Sequence, residues 1–454
     1  MRKIFFITIG IALLAGLLIF ASLSVVMAQD PQPQLTGLEM LGKAMFFDES
    51  LSVNGSQACA ACHGPEVGFT GPDAAVNAAG AVYQGALPNH FGNRKPPASA
   101  YAGDSPLLHF DETEAGWFGG MFWDGRATGM TLGDPLAEQA QGPFLNPLEQ
   151  AIASPQVLCV KVKQADYAGL FEQVWGAGSL NCARDVAGVY EKIGLSVAAY
   201  ERSSEVNPFS SKFDLFWDSA AGAGKDVTLI KCGTGGGMGG GGMGCPGGGT
   251  DPNRWTAFRN LGLTDAELQG LAVFNTRAGC SSCHSLQPSS AGYPLFTDFG
   301  YDNIGIPKNP DNPFYDMPEA WNPDGENWVD YGLGGYLLSA GYSPDIYEPE
   351  MGKHKVPTLR NVDLRPSADF IKAYGHNGYF KSLEDIIFFY HWRAMMDNGC
   401  MGGGMGGGMG CEGMADMFPP PEVDQNRAML SVFPVMQIDN IVAFLRTLSD
   451  GYNQ

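Results

Sequence analysis

The sequence contains the pattern Cys-x-x-Cys-His twice, and no other feature restricts its possible folds as strongly. The two copies have identical spacing and consist of Cys59, Cys62 and His63, and of Cys280, Cys283 and His284. This pattern attaches c-type haem, because both thiols form thioethers to the porphyrin and the adjacent imidazole reaches the iron. A zinc site needs further cysteine or histidine ligands at short spacing, and a dithiol redox pair needs no histidine. The sequence therefore predicts two covalently bound c-type haems.

Each motif follows a segment of similar pattern, which indicates a weak internal duplication. Thr36 and Thr264 each begin a Thr-x-x-Glu capping box, which is the signature of a helix start. In each predicted helix a glycine precedes a phenylalanine by four residues, namely Gly42 and Phe46, and Gly270 and Phe274. We therefore predict two related modules, an N-terminal one at 29–215 and a C-terminal one at 216–454.

The rest of the pattern is mostly helical, with long connections. Segments 132–152 and 186–202 have helical character, whereas 285–345 is rich in Pro, Gly, Asn and Asp and is predicted as long ordered loops. A buried closing helix is predicted from apolar residues at helical spacing, namely Ile438, Ile441, Val442, Leu445 and Leu448. Strand signals are few, so the predicted fold class is mostly α.

Two Gly/Met-rich segments interrupt the second module, at 232–249 and 399–414. Glycine has no side chain to bury and loses the most backbone entropy, so both are predicted as surface insertions. Each holds a cysteine pair, Cys232 with Cys245 and Cys400 with Cys411. Two interpretations are open: each pair closes a disulfide, or thiolates and thioethers together bind Cu(I). The methionines concerned are Met238, Met243, Met401, Met405 and Met409.

The N-terminal residues predict export. Two basic residues precede an apolar run that ends in small residues at Ala28, so 1–28 is predicted as a secretory signal peptide. The mature protein is then expected in the periplasm, and an uncleaved membrane anchor is the alternative. Export permits disulfides, and Cys159 with Cys182 is the predicted pair.

Charge and composition exclude several classes of protein. The formal net charge of −21 opposes binding to nucleic acid or to an anionic membrane surface, because both need a basic footprint. The same charge suits a basic protein partner. Hydrophobic residues make up 44% of the chain, which excludes wholesale disorder.

The residue on the second axial side of each haem iron decides what that iron does. Ser382 begins a predicted helix whose buried stripe ends at Tyr390. His391 lies about 100° round the helix from Tyr390, so only one of the two is expected to face inward with that stripe. Tyr390 fits the stripe better, and an ordinary core tyrosine is the alternative.

Several multi-residue motifs, in this order, resemble those of the bacterial di-haem cytochrome c peroxidase/MauG family. They are segments 41–47, 68–70, 92–97, 122–126 and 139–149 in the first half, and 355–362, 375–378 and 389–390 in the second. The similarity extends from about Leu35 to Tyr452. Members of this family consist of two mostly helical cytochrome c-like haem domains with a calcium ion between them, so the resemblance implies this architecture here.

The resemblance also implies roles for residues around the first haem. His63 is the implied iron ligand on one side, and Glu149, ten residues after Gln139, lies on the other. A carboxylate there moves a proton between the two peroxide oxygens so that water leaves, and Gln139 hydrogen-bonds the same ligand. Trp123 is implied between the haems, where its indole relays oxidising equivalents. A loop-bridging role for Glu149 and a core role for Trp123 are the alternatives.

For the second haem iron, the resemblance implies His284 and Tyr390 as ligands. Tyr390 lies fourteen residues after His376, at the position where ordinary peroxidases of the family have methionine and MauG-like members have tyrosine. A thioether favours reduced iron, whereas a phenolate is a hard anionic donor that stabilises oxidised iron. The second haem is therefore expected to store oxidising equivalents.

The chain departs from the family pattern in three places. No histidine lies near Ala79, where ordinary peroxidases often have a loop ligand, so the first haem is expected to be open without reductive activation. The surface tryptophan of MauG has no counterpart, because Ala278 and Gly279 precede the second motif. Asn93 is a candidate calcium ligand, but the extended segment Arg365–Tyr374 replaces the loop whose carbonyls complete that site.

The leading hypothesis is a periplasmic MauG-like peroxidase that reacts with hydrogen peroxide at the N-terminal haem. It would then oxidise a small redox protein or an exported protein substrate through the second haem. One alternative is a conventional cytochrome c peroxidase that detoxifies hydrogen peroxide. The other is a non-enzymatic di-haem electron carrier with copper-binding Gly/Met loops.

Overall fold

The structure is a computed structural model that describes residues 34–234, 245–398 and 416–452. Residues Leu35–Gln454 form one compact unit. The predicted signal peptide, most of the first Gly/Met-rich segment and nearly all of the second lie outside the described ranges, so what was predicted for them stays a prediction. Within these ranges, no helix has the length and apolar character needed to cross a membrane.

Helices dominate the described residues, and the strands are short. The helices are α1 (Gly37–Phe46), α2 (Ala74–Ala78), α3 (Pro135–Leu145), α4 (Pro155–Gln164), α5 (Ala168–Trp175), α6 (Val186–Glu201), α7 (Lys212–Gly222), α8 (Asp265–Asn275), α9 (Gly332–Ser339), α10 (Pro344–Tyr347), α11 (Leu383–Asp397) and α12 (Ile438–Arg446). The strands form two antiparallel pairs, β1 (His109–Asp111) with β2 (Gly116–Phe118), and β3 (Tyr301–Asp302) with β4 (His354–Lys355). The prediction of a mostly α chain is confirmed.

Local sequence signals explain how several helices begin. At α1 the Thr36 hydroxyl accepts from the N–H of Glu39, and the Glu39 carboxylate accepts from the N–H of Thr36. The same reciprocal pair begins α8 at Thr264, so both predicted capping boxes are present. At α11 the Ser382 hydroxyl accepts from the N–H of Asp385, but no reciprocal bond from the Asp385 side chain forms. This helix therefore begins with a single capping bond and not with a capping box.

The segment 285–345 is not all loop, because α9 lies inside it. A Cβ at Gly332 would lie 2.0 Å from the carbonyl oxygen of Lys353, and one at Gly334 would lie 2.5 Å from the amide nitrogen of Met351. The glycines that suggested a loop therefore let this helix approach a neighbouring backbone, which no residue with a side chain allows.

The internal duplication is visible in the way the helices cross. In α1, a Cβ at Gly42 would lie 1.9 Å from the carbonyl oxygen of Ser196 in α6. In α8, a Cβ at Gly270 would lie 1.9 Å from the carbonyl oxygen of Asn440 in α12. The phenylalanine four residues after each glycine packs edge-on against an aromatic ring of the partner helix, at 5.4 and 5.2 Å. Both pairs therefore use glycine to bring two helix backbones into contact.

Two main hydrophobic cores form around these helix pairs. One is built almost entirely from residues 41–206 and the other from residues 213–448. The predicted closing helix is α12, and Ile441 is fully buried there.

Two disulfides occur in the described residues. Cys159–Cys182 lies within the first core, as predicted, and Cys232–Cys245 also forms, so its sulfurs are not free to bind copper. Cys400 and Cys411 lie outside the described residues.

Candidate functional site

Each Cys-x-x-Cys-His motif forms a short turn whose thiols are free. Cys59, Cys62, Cys280 and Cys283 bond to no other cysteine, whereas the remaining described cysteines form disulfides. Burial raises the pKa of these thiols, that of Cys62 to about 12, so they are neutral. Free thiol pairs beside a histidine, in a chain that otherwise pairs its described cysteines, fit the donor set of haem attachment.

The histidine of each motif is held by the same contact. His63 Nδ1 lies 3.1 Å from the carbonyl oxygen of Phe69, and His284 Nδ1 lies 2.9 Å from that of Phe296. Both phenylalanines have left-handed backbones, with φ of 57° and 55°. A carbonyl oxygen only accepts, so Nδ1 carries the proton and Nε2 offers its lone pair to a metal. Burial lowers the pKa of both imidazoles, that of His63 to about 4, which keeps them neutral.

The predicted peroxide-site residues line a cavity of about 130 Å³ together with the first motif. Gln139 comes from α3 and Glu149 from the loop that follows it. Glu149 Oε1 accepts from Nδ2 of Asn146 at 2.7 Å. Burial raises the pKa of Glu149 against the opposing charge of Arg126 and the Asn146 hydrogen bond. The donors of Cys59, Cys62 and His63, and not the volume of the cavity, are what fit a haem here.

Sequence reasoning missed a second carboxyl group in this cavity, that of Glu201. The residue is only 3% exposed and its Oε2 has no hydrogen-bond partner. Burial raises the pKa of Glu201 to about 8. A signal for it existed, because Glu201 continues the four-residue spacing of Val189, Ile193 and Val197, which are the buried stripe of α6.

A larger cavity, about 370 Å³, lies at the second motif. Its lining includes Cys280, Cys283 and His284, and Tyr390 from α11. Its size falls in the range of roughly 300–1,000 Å³ that is usual for cofactor sites. The structure therefore brings the predicted second ligand into the same cavity as the second motif.

Tyr390 and His391 are both enclosed, but only Tyr390 lies with the predicted stripe, as expected, because Leu383, Ile386 and Ile387 line the larger cavity with it. Tyr390 is half-buried and lines the larger cavity. His391 is buried on another side of α11, where its Nδ1 lies 2.7 Å from the carbonyl oxygen of Phe433. The helix is covered on two sides, which is why positions 100° apart are both enclosed. Burial raises the pKa of Tyr390, helped by nearby acidic groups, so a phenolate here requires a cationic partner such as ferric iron.

Trp123 lines both cavities. Its side chain is buried, and its Nε1 donates to the carbonyl oxygen of Lys95 at 2.8 Å. Its own carbonyl oxygen accepts from the N–H of Lys355 at 2.9 Å. The indole is therefore held by a segment of the first half, and the Trp123 backbone by a segment of the second.

A buried polar cluster lies beside Trp123. The rings of His354 and His376 stack with centroids 3.5 Å apart and planes 10° apart, and the His376 ring lies 6.5 Å from the indole. Asp330 lies 3.2 Å from His354 and binds the Arg94 guanidinium through two bonds of 2.6 Å. Burial alone would raise the pKa of Asp330, but the Arg94 guanidinium outweighs it and holds that pKa well below its usual range. The cluster therefore places a buried ion pair and two stacked imidazole rings beside Trp123.

The region near Ala79 contains no ligand for the first site. Ala79 is exposed, and its carbonyl oxygen accepts from Lys381 Nζ at 2.5 Å. His90, the nearest histidine after it, packs against the Trp321 ring and has its Nδ1 3.0 Å from a backbone carbonyl. Among the described residues, His63 is the only histidine that lines the smaller cavity.

Comparison with known proteins agrees with this arrangement. A family model described as di-haem cytochrome c peroxidase matches residues 37–221. The chain is 29% identical over 432 residues to methylamine utilization protein MauG of Paracoccus denitrificans, which covers 93% of this chain and 91% of that protein. It is 22% identical over 355 residues to cytochrome-c peroxidase IdrP1 of Denitromonas iodatirespirans, covering 77% and 71% of the two chains. The crystal structure of the diheme peroxidase BthA from Burkholderia thailandensis aligns with a TM-score of 0.63 at 28% identity, covering 92% and 87%.

Proposed function

Because the chain is a member of the di-haem cytochrome c peroxidase/MauG family, whose members are oxidoreductases acting on peroxide, we propose a division of labour between its two cavities. Hydrogen peroxide reacts at the smaller cavity, and a partner is oxidised through the larger one. The observation that carries this proposal is that Trp123 lines both cavities, with Glu149 in the first and Tyr390 in the second.

The family implies two c-type haems, and the residues of each cavity fit one. Cys59 and Cys62 would hold the first, with His63 Nε2 toward the iron, and the second motif would hold the other in the same way. When bound, each haem supplies an iron that exchanges electrons with peroxide or with a partner. The modules would correspond to residues 29–215 and 216–454.

Glu149 is proposed as the proton carrier of the peroxide site. Its carboxylate accepts the proton from one peroxide oxygen and returns it to the other, so that the departing oxygen leaves as water. The Asn146 hydrogen bond at 2.7 Å orients the carboxylate. Gln139, in the lining of the same cavity, offers an amide that hydrogen-bonds the bound peroxide.

Tyr390 is proposed as the residue that would supply a second ligand to a haem iron in the larger site, in addition to His284. Its burial makes a free phenolate costly, so the ionised ring is stable only next to a cation. An anionic oxygen donor favours the oxidised state of that cation. Trp123, fixed by its hydrogen bond to Lys95, carries oxidising equivalents between the two cavities.

The partner is proposed to be a small redox protein or an exported protein substrate, and the location the periplasm. The strongly acidic chain, with a formal net charge of −21, suits a basic partner. Cleavage of a signal after Ala28 would leave Gln29 as the first residue of the mature protein, which N-terminal sequencing tests. Copper binding by the segment 399–414 stays a prediction, tested by titrating Cu(I) into the reduced protein.

Stoichiometric peroxide added to the ferric holoenzyme as isolated tests the proposed function. We expect an immediate change in the absorption and electron paramagnetic resonance spectra of both haems, without prior reduction. A conventional peroxidase with a closed resting site responds only after one-electron reduction, so that result would favour the detoxifying alternative. If both haems are low-spin and do not react with peroxide before or after reduction, only the electron-carrier hypothesis would remain.

A further inference from the structure

The family resemblance implies a calcium ion between the modules, but the described residues do not fit one there. The candidate ligand Asn93 uses its backbone carbonyl oxygen to accept from Nδ2 of Asn312 at 2.9 Å. In the segment Arg365–Tyr374, which takes the place of the carbonyl loop, the carbonyl oxygen of Ile371 accepts from Nδ2 of Asn77 at 3.1 Å. Calcium needs six to eight oxygen ligands, whereas each of these two carbonyl oxygens already accepts a hydrogen bond from an asparagine amide.

A lysine side chain lies in that segment and gathers the carbonyl groups instead. Lys372 Nζ donates to the carbonyl oxygens of Val67, Asn361 and Leu364 at 2.8, 2.7 and 3.1 Å. The side chain is only 5% exposed. Val67 belongs to the first half of the chain and the other two acceptors to the second, so this one nitrogen joins the two halves.

The Lys372 nitrogen is an ammonium group. Burial and the nearby charge of Lys95 lower its pKa. Three carbonyl oxygens surround it, however, and only the ammonium form has the three N–H donors that they require. A buried charge with every donor satisfied is tolerated, whereas a neutral amine would leave one carbonyl without a donor.

Lys95, two residues after Asn93, adds a second buried cation. Its side chain is 8% exposed, and its Nζ donates to the Thr70 hydroxyl at 2.9 Å and to the carbonyl oxygen of Pro96 at 3.0 Å. Its backbone carbonyl oxygen is the one that accepts from Trp123. The segment that would contribute the calcium ligand therefore contributes a positive charge, which repels a divalent cation.

A third lysine fixes the loop near Ala79. Lys381 Nζ donates to the carbonyl oxygens of Asn77, Ala79 and Gly378 at 2.7, 2.5 and 2.7 Å. The carbonyl oxygen of Gly80 accepts from Nδ2 of Asn309 at 3.2 Å. Side chains from the second half thus hold this loop in place by its backbone.

We propose that the ammonium groups of Lys95 and Lys372 replace the calcium ion of the family: Lys372 joins the two halves, Lys95 adds a charge that disfavours a divalent cation, and the chain works without calcium. A tethered ammonium forms the same kind of carbonyl contacts as a bound metal ion but is never lost by dissociation. The proposal concerns calcium alone and does not depend on the proposed function.

Metal analysis of the wild-type holoenzyme tests this directly. The protein is purified with calcium chloride in every buffer and desalted, and calcium and iron are measured in the same sample by mass spectrometry. Iron counts the chains, since the sequence has two haem motifs. We expect calcium far below one atom per two irons, and identical thermal unfolding and peroxide reactivity in calcium and in EGTA. Stoichiometric calcium, or a loss of stability in EGTA, would overturn the proposal even if the peroxidase is fully active.

A pair of variants tests the role of the ammonium group. Lys372→Ala removes three charge-assisted hydrogen bonds across the two halves, so we expect its Tm to fall by several degrees in EGTA. Lys192→Ala is the matched control, because the Lys192 amino group contacts only α6 and Asp185, the residue that caps it, and its Tm should stay near that of the wild type. An unchanged Tm in Lys372→Ala would overturn the proposal. If that variant does not fold, the wild-type calcium content still decides the question.

Discussion

The indole Nε1 of Trp123 donates to the backbone carbonyl oxygen of Lys95 at 2.8 Å. This bond holds the ring in the wall shared by the two cavities. The same lysine donates its backbone N–H to the carbonyl oxygen of His376 at 2.9 Å, so the position of the tryptophan and a contact between the two halves depend on one short segment.

Trp123→Phe should slow the transfer of oxidising equivalents between the cavities while leaving the reaction with peroxide at the first. Phenylalanine keeps much of the ring but loses the hydrogen bond and is far harder to oxidise. The measurement is stopped-flow absorption of the enzyme with its second haem reduced, mixed with stoichiometric peroxide. Unchanged reoxidation of that haem would show that Trp123 has no part in the transfer.

Glu149→Gln should lower the rate of peroxide reaction by roughly 10²- to 10⁴-fold, the usual contribution of a general acid–base group. The amide keeps the shape of the side chain but cannot accept a proton. Glu201→Gln is the informative companion, because Glu201 is the other carboxyl group of the cavity. A loss in Glu201→Gln with none in Glu149→Gln would transfer the role to Glu201.

The same role gives the peroxide reaction a defined pH dependence. Glu149 accepts a proton only as a carboxylate, so the rate should fall as the pH drops through its pKa. Burial raises that pKa above its ordinary value of 4.5, so the acid limb of the rate profile should lie above pH 4.5 and be absent in Glu149→Gln. An acid limb that persists in the variant belongs to another group.

Tyr390→Met should raise the potential of the second haem by hundreds of millivolts, within the span of roughly 0.8 V that axial ligands command. Replacing an anionic oxygen donor with a thioether removes the preference for oxidised iron. Spectroelectrochemical titration measures the shift, and His391→Ala serves as control because His391 is not among the residues that line the cavity and has its Nδ1 against the Phe433 carbonyl. If Tyr390→Met leaves the potential unchanged, the ligand assignment is wrong.

Glu201 should make the protein less stable as the pH rises. Its pKa is raised by burial from 4.5 to about 8 in the folded protein, so the folded state holds a proton that the unfolded state releases. The associated stability is complete below pH 4.5 and is lost by about 1.4 kcal/mol per pH unit up to the folded pKa. Denaturant unfolding between pH 5 and 8 should show that the free energy of unfolding falls with pH in the wild type. It should fall less steeply in Glu201→Gln. Parallel curves for the two proteins would contradict it.

Replacing Cys159 and Cys182 together by serine should lower the free energy of unfolding by roughly 3 kcal/mol, since the bond closes a loop across a separation of 23 residues. Both cysteines are buried in the first core, so reductant should act on this bond only as the protein unfolds. Denaturant titration with and without reductant measures both effects. A wild type that loses no stability on reduction would show that the bond contributes little.

Interactions that depend on a few neighbouring residues could be predicted from the sequence. The two motifs, the capping boxes at Thr36 and Thr264, the glycine of each helix crossing and the Cys159–Cys182 pair follow from covalent chemistry or from contacts one helical turn apart. The failures were of another kind. The spacing of Glu201 marks it as buried but does not show which cavity it enters, and the glycines of α9 predict a loop because the backbone that they contact lies elsewhere in the chain.

The sequence by itself determined the two Cys-x-x-Cys-His motifs, the helical repeat that precedes each and the resemblance to the di-haem cytochrome c peroxidase/MauG family. Only the tertiary structure decided that both Tyr390 and His391 are enclosed, that Trp123 lines two cavities, and that Lys372 gathers carbonyl groups from both halves. The reason is physical: the contact from Lys372 to Val67 joins residues 305 positions apart, and no local pattern encodes which distant carbonyl oxygens will surround a buried ammonium group.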